Sequence, residues 1–249
     1  MDELNRRQYL KAMGISVWQR RDLVPEQAEE TVAEAVVNQV SQQPAIEPPA
    51  QSSTTSRNHA VDQMDWQALR DCVRDCRACE LRAGCTQTVF GVGNTQADLL
   101  VIGEAPGADE DRQGEPFVGR AGQLLNAMLL AMGYQRESVF IANIVKCRPP
   151  NNRDPKAEET LSCEPYLARQ IELIQPGLIL AVGRIAAQNL LKTDITVGKL
   201  RGRVHRFGEQ NIPLVVTYHP AYLLRSPEQK AKSWQDLQLA LSSLRGASA

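Results

Sequence analysis

The stretch GEAPGADEDRQGEPFVGR, residues 103–120, has the position of a phosphate-binding turn but the wrong charge. It follows the apolar run DLLVIG and precedes a helix-like segment. Phosphate is stabilised by backbone N–H groups and positive charge, and it is repelled by carboxylates. This turn carries five carboxylates: Glu104, Asp109, Glu110, Asp111 and Glu115. The residue types therefore argue against phosphate and leave open what the acidic turn holds.

Six cysteines form the second group of residues with chemical potential. Cys76 and Cys79 form a C-x2-C pair, and 15 residues separate Cys147 from Cys163. Four thiolates suit a [4Fe–4S] cluster or a structural zinc ion, and such a site would staple the start of the domain to a later loop. Cys72 and Cys85 would then be left over. Six unrelated buried thiols are the alternative, because only the C-x2-C spacing is a specific signal.

Composition limits the classes of protein that the chain can represent. With 249 residues and 43% hydrophobic composition it can bury one good core. No apolar stretch approaches the roughly 18 to 20 residues of a membrane span, and the N-terminus lacks the pattern of a signal peptide. We therefore expect no membrane association and a cytoplasmic, monomeric protein, in which cysteines are more often ligands, catalytic groups or core residues than disulfides.

The net charge of −1 hides a split along the chain. Residues 1–65 contain six Lys and Arg against ten Asp and Glu, whereas residues 66–249 contain 22 against 19. Four basic residues fall within eight positions: Lys199, Arg201, Arg203 and Arg206. Such a cluster can meet a polyanion, although a solvated loop is the more frequent explanation.

The chain divides into three parts. Residues 1–21 include a short helix-like segment with apolar side chains, and residues 22–65 have too little apolar surface to offset the entropy of ordering. Residues 66–249 form the predicted folded domain. Its four continuous apolar runs alternate with helical patterns: 98–103, 139–145, 177–183 and 213–218. This pattern predicts a three-layer α/β/α sandwich around a central four-stranded parallel sheet.

In such a sheet, ligands bind beyond the carboxyl ends of the strands. The acidic turn is one of these ends, and the others are residues 143–154, 183–184 and 218–225. We therefore expect the chemistry of the protein to lie in these four segments.

Several motifs together resemble the family 4 uracil-DNA glycosylases, which are bacterial and archaeal enzymes with a [4Fe–4S] cluster. The motifs are GEAPGADED, GEPFVGRAGQLL, NIVKCRPPNNRDP, LILAVG and TYHPAYLLR, and the resemblance covers roughly residues 72–240. It implies hydrolysis of uracil from DNA to leave an abasic site. It also implies cluster ligands at Cys76, Cys79, Cys147 and Cys163.

The uracil site implied by the resemblance consists of Glu104, Ala105, Glu110, Phe117, Asn143 and His219. Breaking an N-glycosidic bond builds positive charge on the sugar while the base leaves as an anion, so carboxylates help on the sugar side. Glu104, with Glu110 nearby, is expected to position the attacking water and stabilise the cation. This gives the acidic turn a chemical purpose.

The base side of the implied site uses three other side chains. The Asn143 amide can both donate to and accept from the uracil edge, which distinguishes uracil from cytosine. His219 is expected to donate to uracil O2 as negative charge accumulates there. Phe117 is expected to stack on the extruded base.

Extrusion of a base from DNA costs a few kcal/mol, and the gap must be filled. By resemblance the segment after His219 enters the minor groove, so three residues are candidates for an apolar wedge: Tyr222, Leu223 and Leu224. Basic side chains are expected to hold phosphates without reading sequence: Lys199, Arg201, Arg203 and Arg225.

The N-terminal stretch RRQYLKAMGISVWQRR, residues 6–21, resembles the N-terminal peptide of the psi subunit of the bacterial clamp loader. This resemblance implies a link to the replication machinery through an amphipathic peptide. A second hypothesis for the whole chain is therefore a non-catalytic module of glycosylase fold that binds DNA and the clamp loader. Retention of four site side chains at four separate loop positions favours the enzyme: Glu104, Phe117, Asn143 and His219.

Overall fold

The computed structural model describes residues 60–247, apart from the side chains of the last two. The predicted partner-binding peptide, residues 1–21, and residues 22–59 of the predicted linker lie outside this range. Val61 is fully buried in the hydrophobic core. The packed part of the chain therefore includes a residue ahead of the predicted domain start at Trp66.

A six-stranded sheet forms the centre of the domain. Its strands are β1 (Val92–Gly93), β2 (Leu99–Gly103), β3 (Phe140–Asn143), β4 (Leu178–Val182), β5 (Val204–Phe207) and β6 (Ile212–Thr217). They lie in the order β1-β3-β2-β4-β6-β5. The inner strands β3, β2, β4 and β6 pair in parallel, whereas β1 and β5 pair antiparallel with their neighbours.

The sheet is thus mixed and six-stranded, which corrects the prediction of a four-stranded parallel sheet. The two missed strands lie at the edges and carry little hydrophobic signal. β1 has only two residues, and the side chains of β5 alternate between exposed and half-buried. A search for continuous apolar runs finds strands that are buried on both faces and passes over edges of this kind.

Helices cover both faces of the sheet. Those that lie wholly within the described part are α1 (Trp66–Arg74), α2 (Leu81–Gly84), α3 (Ala108–Gln113), α4 (Arg120–Ala131), α5 (Ala157–Ile174), α6 (Arg184–Leu191), α7 (Val197–Leu200), α8 (Pro220–Arg225) and α9 (Lys230–Ala247). Short 3-10 turns lie at Arg136–Ser138, Pro150–Asn152 and Pro227–Gln229. Within the described range no helix is long and apolar enough to cross a membrane.

The core has two layers because successive strand residues point to opposite faces. On β2, Leu100 and Ile102 pack into one hydrophobic cluster, while Leu99 and Val101 pack into the other. Every residue of β2, β3 and β4 is buried. This packing fixes the carboxyl ends of the inner strands at one edge, from which the loops after β2, β3, β4 and β6 emerge.

Candidate active site

A cavity of about 710 Å³ lies at the carboxyl edge of the parallel strands. The loops after β2, β3, β4 and β6 form its walls. The structure brings all the side chains of the implied uracil site to this cavity: Glu104, Ala105, Glu110, Phe117, Asn143 and His219. Tyr222 and Arg225 also line it, as do residues that sequence reasoning missed, among them Arg184 and Tyr218.

Asn143 ends β3 and is almost completely buried, with 2% of its surface exposed. Its side-chain oxygen Oδ1 has no hydrogen-bond partner among the described residues. A Cβ on Gly103 would lie 2.5 Å from this oxygen and 2.5 Å from Cζ of Phe117, so only glycine fits at the end of β2. A buried acceptor without a donor is costly, and the oxygen is therefore suited to a donor from a ligand.

Lys146 supports the position of Asn143, and sequence reasoning did not single it out. Its buried ammonium donates to the backbone oxygen of Asn143 at 3.0 Å and to Oε1 of Gln170 at 2.7 Å. Gln170 in turn donates to the backbone oxygen of Phe90 at 2.9 Å. A lysine directly after a buried apolar strand was the only available signal for this network.

His219 is held as a neutral ring with a defined tautomer. It is the N-cap of α8, and its Nδ1 accepts a hydrogen bond from the backbone N–H of Ala221 at 3.1 Å. The neutral ring therefore carries its hydrogen on Nε2. Burial lowers the pKa of His219 to about 4, and the positive charge of Arg225 adds to this effect. His219 can thus donate from Nε2 at neutral pH without carrying charge.

Phe117 lies against His219 as a stacked ring, with 5.6 Å between the ring centroids and 30° between the planes. Its backbone adopts a φ of 55°, which is uncommon for an aromatic residue. Only 6% of the residue surface is exposed. The ring therefore forms a fixed apolar wall beside the neutral imidazole.

Glu104 has an environment that favours its protonated form. Burial raises the pKa of Glu104 to about 7, and the nearby negative charge of Asp154 adds to this effect. Arg184 acts in the opposite direction and forms an ion pair with Asp154. Near neutral pH this carboxyl can therefore exchange a proton, which suits a group that receives a proton from water.

Glu110 is placed differently, although it belongs to the same acidic turn. Its Oε1 accepts from the backbone N–H groups of Val118 and Gly119 at 2.9 and 3.1 Å. Its Oε2 accepts from the backbone N–H of Gly107 at 3.1 Å. The carboxylate thus holds together the two ends of the turn, and its catalytic role stays a prediction.

The wedge candidates on α8 point in different directions. Leu223 is buried, with 1% of its surface exposed, and packs into the core. Leu224 is 37% exposed, and Tyr222 lies against Tyr218 with 5.1 Å between the ring centroids. The burial of Leu223 argues against the predicted wedge role for it, because one side of this short helix must pack on the domain.

The predicted phosphate contacts also separate into two groups. Lys199, Arg203 and Arg225 are exposed. Arg201 instead forms an ion pair with the buried carboxylate of Asp236 at 3.0 Å, and only 14% of its side chain is exposed. The guanidinium of Arg201 thus already satisfies a buried acid, which argues against the predicted phosphate contact for this residue.

Four cysteines line one small cavity between the start of the domain and the loop after β3: Cys76, Cys79, Cys147 and Cys163. The hydroxyl of Tyr166 donates to Sγ of Cys76 at 3.2 Å, and the backbone N–H of Lys146 donates to Sγ of Cys163 at 3.3 Å. Burial raises the pKa of the Cys147 thiol and raises that of Cys163 to about 11.

The composition of this cavity fits a cluster with four thiolate ligands or a tetrahedral zinc ion. Within residues 60–247, however, no three His, Cys, Asp or Glu side chains already stand as the ligands of one metal ion. Cys72 and Cys85 are also free thiols. The hydroxyl of Tyr166 accepts from Cys72 at 3.9 Å, and Cys85 lies beside Arg82.

The fold and the cavity define an α/β protein with a pocket at the carboxyl edge of its parallel strands, lined by an aromatic ring and by hydrogen-bonding groups. Residues 90–238 match the family described as the uracil DNA glycosylase superfamily. The chain belongs to this superfamily, and the prediction made from its motifs is confirmed at this level.

Similar proteins within the superfamily are type-4 uracil-DNA glycosylases. The one from Archaeoglobus fulgidus is 44% identical over 182 residues, which are 69% of this chain and 91% of the relative. The one from Pyrobaculum aerophilum is 41% identical over 71% of this chain and 93% of its own length. The one from Saccharolobus solfataricus is 44% identical over 67% and 80%.

Proposed function

We propose that the protein is a uracil-DNA glycosylase, which extrudes uracil from DNA and hydrolyses its N-glycosidic bond to leave an abasic site. The proposal rests on the buried Oδ1 of Asn143, which has no partner within residues 60–247 and lies in one cavity with the Phe117 and His219 rings. The similarity to type-4 uracil-DNA glycosylases over most of the chain supports it.

Uracil is selected by its hydrogen-bonding edge. Oδ1 of Asn143 accepts from uracil N3–H, and the amide nitrogen donates to O4. Cytosine presents an acceptor at N3 and a donor at C4, so it would leave the buried oxygen unpaired. An unpaired buried group costs about 1–3 kcal/mol, which disfavours cytosine.

Departure of the base is assisted by His219. As the N-glycosidic bond breaks, its electron pair moves onto the base, and negative charge spreads to O2. The Nε2–H of the neutral ring donates to this oxygen, and the interaction strengthens as charge develops. Phe117 holds the flat base from one side throughout.

Glu104 acts on the sugar side. In its ionised form it orients a water molecule toward C1′ and stabilises the positive charge on the sugar. The water oxygen forms the new bond to C1′ and releases a proton, which the carboxylate accepts. This role requires the ionised carboxyl, so we expect the rate to rise with pH through about 7.

The DNA duplex meets the side of the cavity formed by α8. Leu224 and Tyr222 remain the candidates for the apolar wedge that replaces the extruded base. Lys199, Arg203 and Arg225 supply exposed positive charge for phosphates. These contacts do not read sequence, so any uracil in reach is a substrate.

A [4Fe–4S] cluster held by the four cysteines named above is also proposed. When bound, it supplies a covalent tie between the start of the domain and the loop after β3. Iron and sulfide analysis of anaerobically purified protein is the test: about four of each per chain are expected. Stoichiometric zinc without sulfide would contradict the proposal.

The partner of the N-terminal tail, the oligomeric state and the cellular location are further proposals. Residues 6–21 are proposed to bind the replication clamp loader, with the linker between residue 22 and the packed part of the chain as the tether and the catalytic domain as a cytoplasmic monomer. Residues 1–25 should retain clamp-loader subunits in a pull-down, and Trp18→Ala should abolish this. Failure of the wild-type peptide to bind would remove the tail from the proposal.

The test of the main function is base release from an oligonucleotide with a single uracil, detected by alkali cleavage at the abasic site. Wild-type protein should cleave, and His219→Ala should cleave far more slowly. His205→Ala is the matched control, because His205 interacts with the backbone oxygen of Leu200 and does not line the cavity. No cleavage by folded wild-type protein would leave the non-catalytic DNA-binding module as the better hypothesis.

A further inference from the structure

Phe117 combines a bulky side chain with an unusual backbone conformation. Its φ of 55° lies in the left-handed region, where the other non-glycine residues of the described part are Asn, Gln or Lys. Such conformations persist only when the surrounding structure holds them. A specific restraint must therefore act on residues 116–119.

Arg136 supplies one half of that restraint. Its guanidinium donates to the backbone oxygens of Pro116 and Phe117, the second at 3.3 Å. It also donates to Oδ1 of Asn126 on α4 at 3.3 Å. The planar guanidinium, with donors in a fixed fork, can hold two successive carbonyl groups in one orientation.

Glu110 supplies the other half. It accepts from the N–H groups of Val118 and Gly119, the two residues that follow Phe117. The carbonyl groups of Pro116 and Phe117 thus face a cation, and the N–H groups of Val118 and Gly119 face an anion. Both charges favour the same orientation of the peptide groups around Phe117.

Close packing leaves this segment little freedom to relax. A Cβ on Gly122 would lie 1.8 Å from the backbone oxygen of Phe117, so the chain passes directly against α4. Arg136 is itself half-buried, and burial lowers its pKa while the neighbouring acids, Glu110 among them, oppose this. The guanidinium is thus part of the packed domain rather than a surface cation.

We propose that Arg136 is a positioning residue for uracil excision, which fixes Phe117 in the left-handed conformation and so holds its ring against His219 as the platform for the base. This rests on the proposed glycosylase function. Arg136 does not line the cavity, so it acts through Phe117 and not by touching uracil.

Single-turnover excision by the full chain, with enzyme in excess, is the measurement. Arg136→Ala should lower the rate about 10- to 100-fold, because small displacements of a positioned group have effects of this size. Arg136→Lys should give an intermediate rate, since an ammonium group cannot reproduce the fork. Arg169→Ala should leave the rate unchanged, although this half-buried arginine also donates to a backbone oxygen, that of Met64 at 2.8 Å.

A double-mutant cycle separates positioning from general damage. In a Phe117→Ala background, Arg136→Ala should change the rate less than about twofold, because the ring through which it acts is gone. An equal loss in both backgrounds, or a wild-type rate for Arg136→Ala, would overturn the proposal. If Arg136→Ala does not fold, Arg136→Lys is used in the same cycle.

The wild-type protein distinguishes this proposal from the function on which it rests. Cleavage by the wild type with no coupling between Arg136 and Phe117 overturns the positioning role alone. Absence of cleavage by folded wild-type protein overturns the proposed function and the positioning role with it.

Discussion

The loop after β2 and the loop after β6 meet at the same cavity but bring opposite chemistry to it. The first carries acids, of which Glu104 and Glu110 line the cavity, and the second carries His219 and the cation Arg225. Burial acts on both loops in the same sense, because it disfavours whichever form is charged. It raises the pKa of Glu104 to about 7 and lowers that of His219 to about 4.

The two loops differ in whether the neutral form of the side chain, His219 or Glu104, is the form that acts in the reaction. For His219, the neutral form is the useful one, since it has a single donor and a fixed tautomer across the physiological range. For Glu104, the useful form is the charged one, so a higher pKa limits the active fraction near pH 7. The same desolvation therefore helps one loop and restrains the other.

The largest expected effect comes from Glu104→Gln. Loss of the carboxylate should lower the single-turnover rate about 10²- to 10⁴-fold, the range for a positioned acid or base. The wild-type rate should rise with pH through about 7, and the variant should lose this dependence. A variant that keeps the wild-type pH profile would assign the titration to another group.

The same variant has an opposite effect on stability. The folded pKa of Glu104 lies above its ordinary value of 4.5, so its contribution to stability is present below about pH 4.5 and is lost as pH rises through about 7. At pH 8, Glu104→Gln should therefore stabilise the protein, by roughly 1–2 kcal/mol after allowance for partial solvent screening. Chemical denaturation at pH 8 and pH 5 checks this, and an equal gain at both values would contradict it.

His219→Ala should have the next largest effect. Removal of one donor to developing negative charge costs about 10²- to 10³-fold in rate. Above pH 6, the rate of the variant should keep the pH dependence that Glu104 gives the wild type, because His219 is already neutral there. If His219→Ala abolished the rise in rate near pH 7, the assignment of that rise to ionisation of Glu104 would be wrong.

The two sides of α8 give a smaller effect that separates DNA binding from packing. Leu224→Ala should slow excision from duplex DNA about tenfold, equivalent to about 1.4 kcal/mol, with little change on single strands. Leu223→Ala should instead destabilise the fold by about 2–5 kcal/mol, as for other buried leucines. Equal effects of both changes on duplex excision would contradict the assignment of Leu223 to the core and of Leu224 to the surface that meets DNA.

The smallest expected effect concerns charge on the two loops. Arg225→Gln should reduce the slope of log affinity against log salt by about 1, because one phosphate contact is lost. Arg112→Gln on the acidic loop is the matched control, since this arginine is exposed and paired with Asp109 at 2.6 Å. An equal change in slope for both would show that the loops do not differ in their approach to DNA.

Strands with both faces buried were predictable from the sequence, and edge strands were not. Continuous apolar runs such as LILAV identify β4, whereas the half-exposed β5 has no such run. Among the residues that line the cavity, the motif resemblance pointed to Asn143 and His219. Arg136 carries no local signal, because its role depends on carbonyl groups nearly twenty positions away.

The sequence by itself determined the family, the four buried strands and six of the residues that line the cavity, namely those implied by the motifs. Each of these depends on local order along the chain, namely apolar runs and motifs with characteristic spacing. Only the tertiary structure decided that Leu223 faces the core, that Arg201 neutralises Asp236, and that Glu104 and His219 have displaced pKa values. These properties arise from burial and from partners that are distant in sequence. The electrostatic environment of a residue depends on groups from many segments, which only the folded chain brings together.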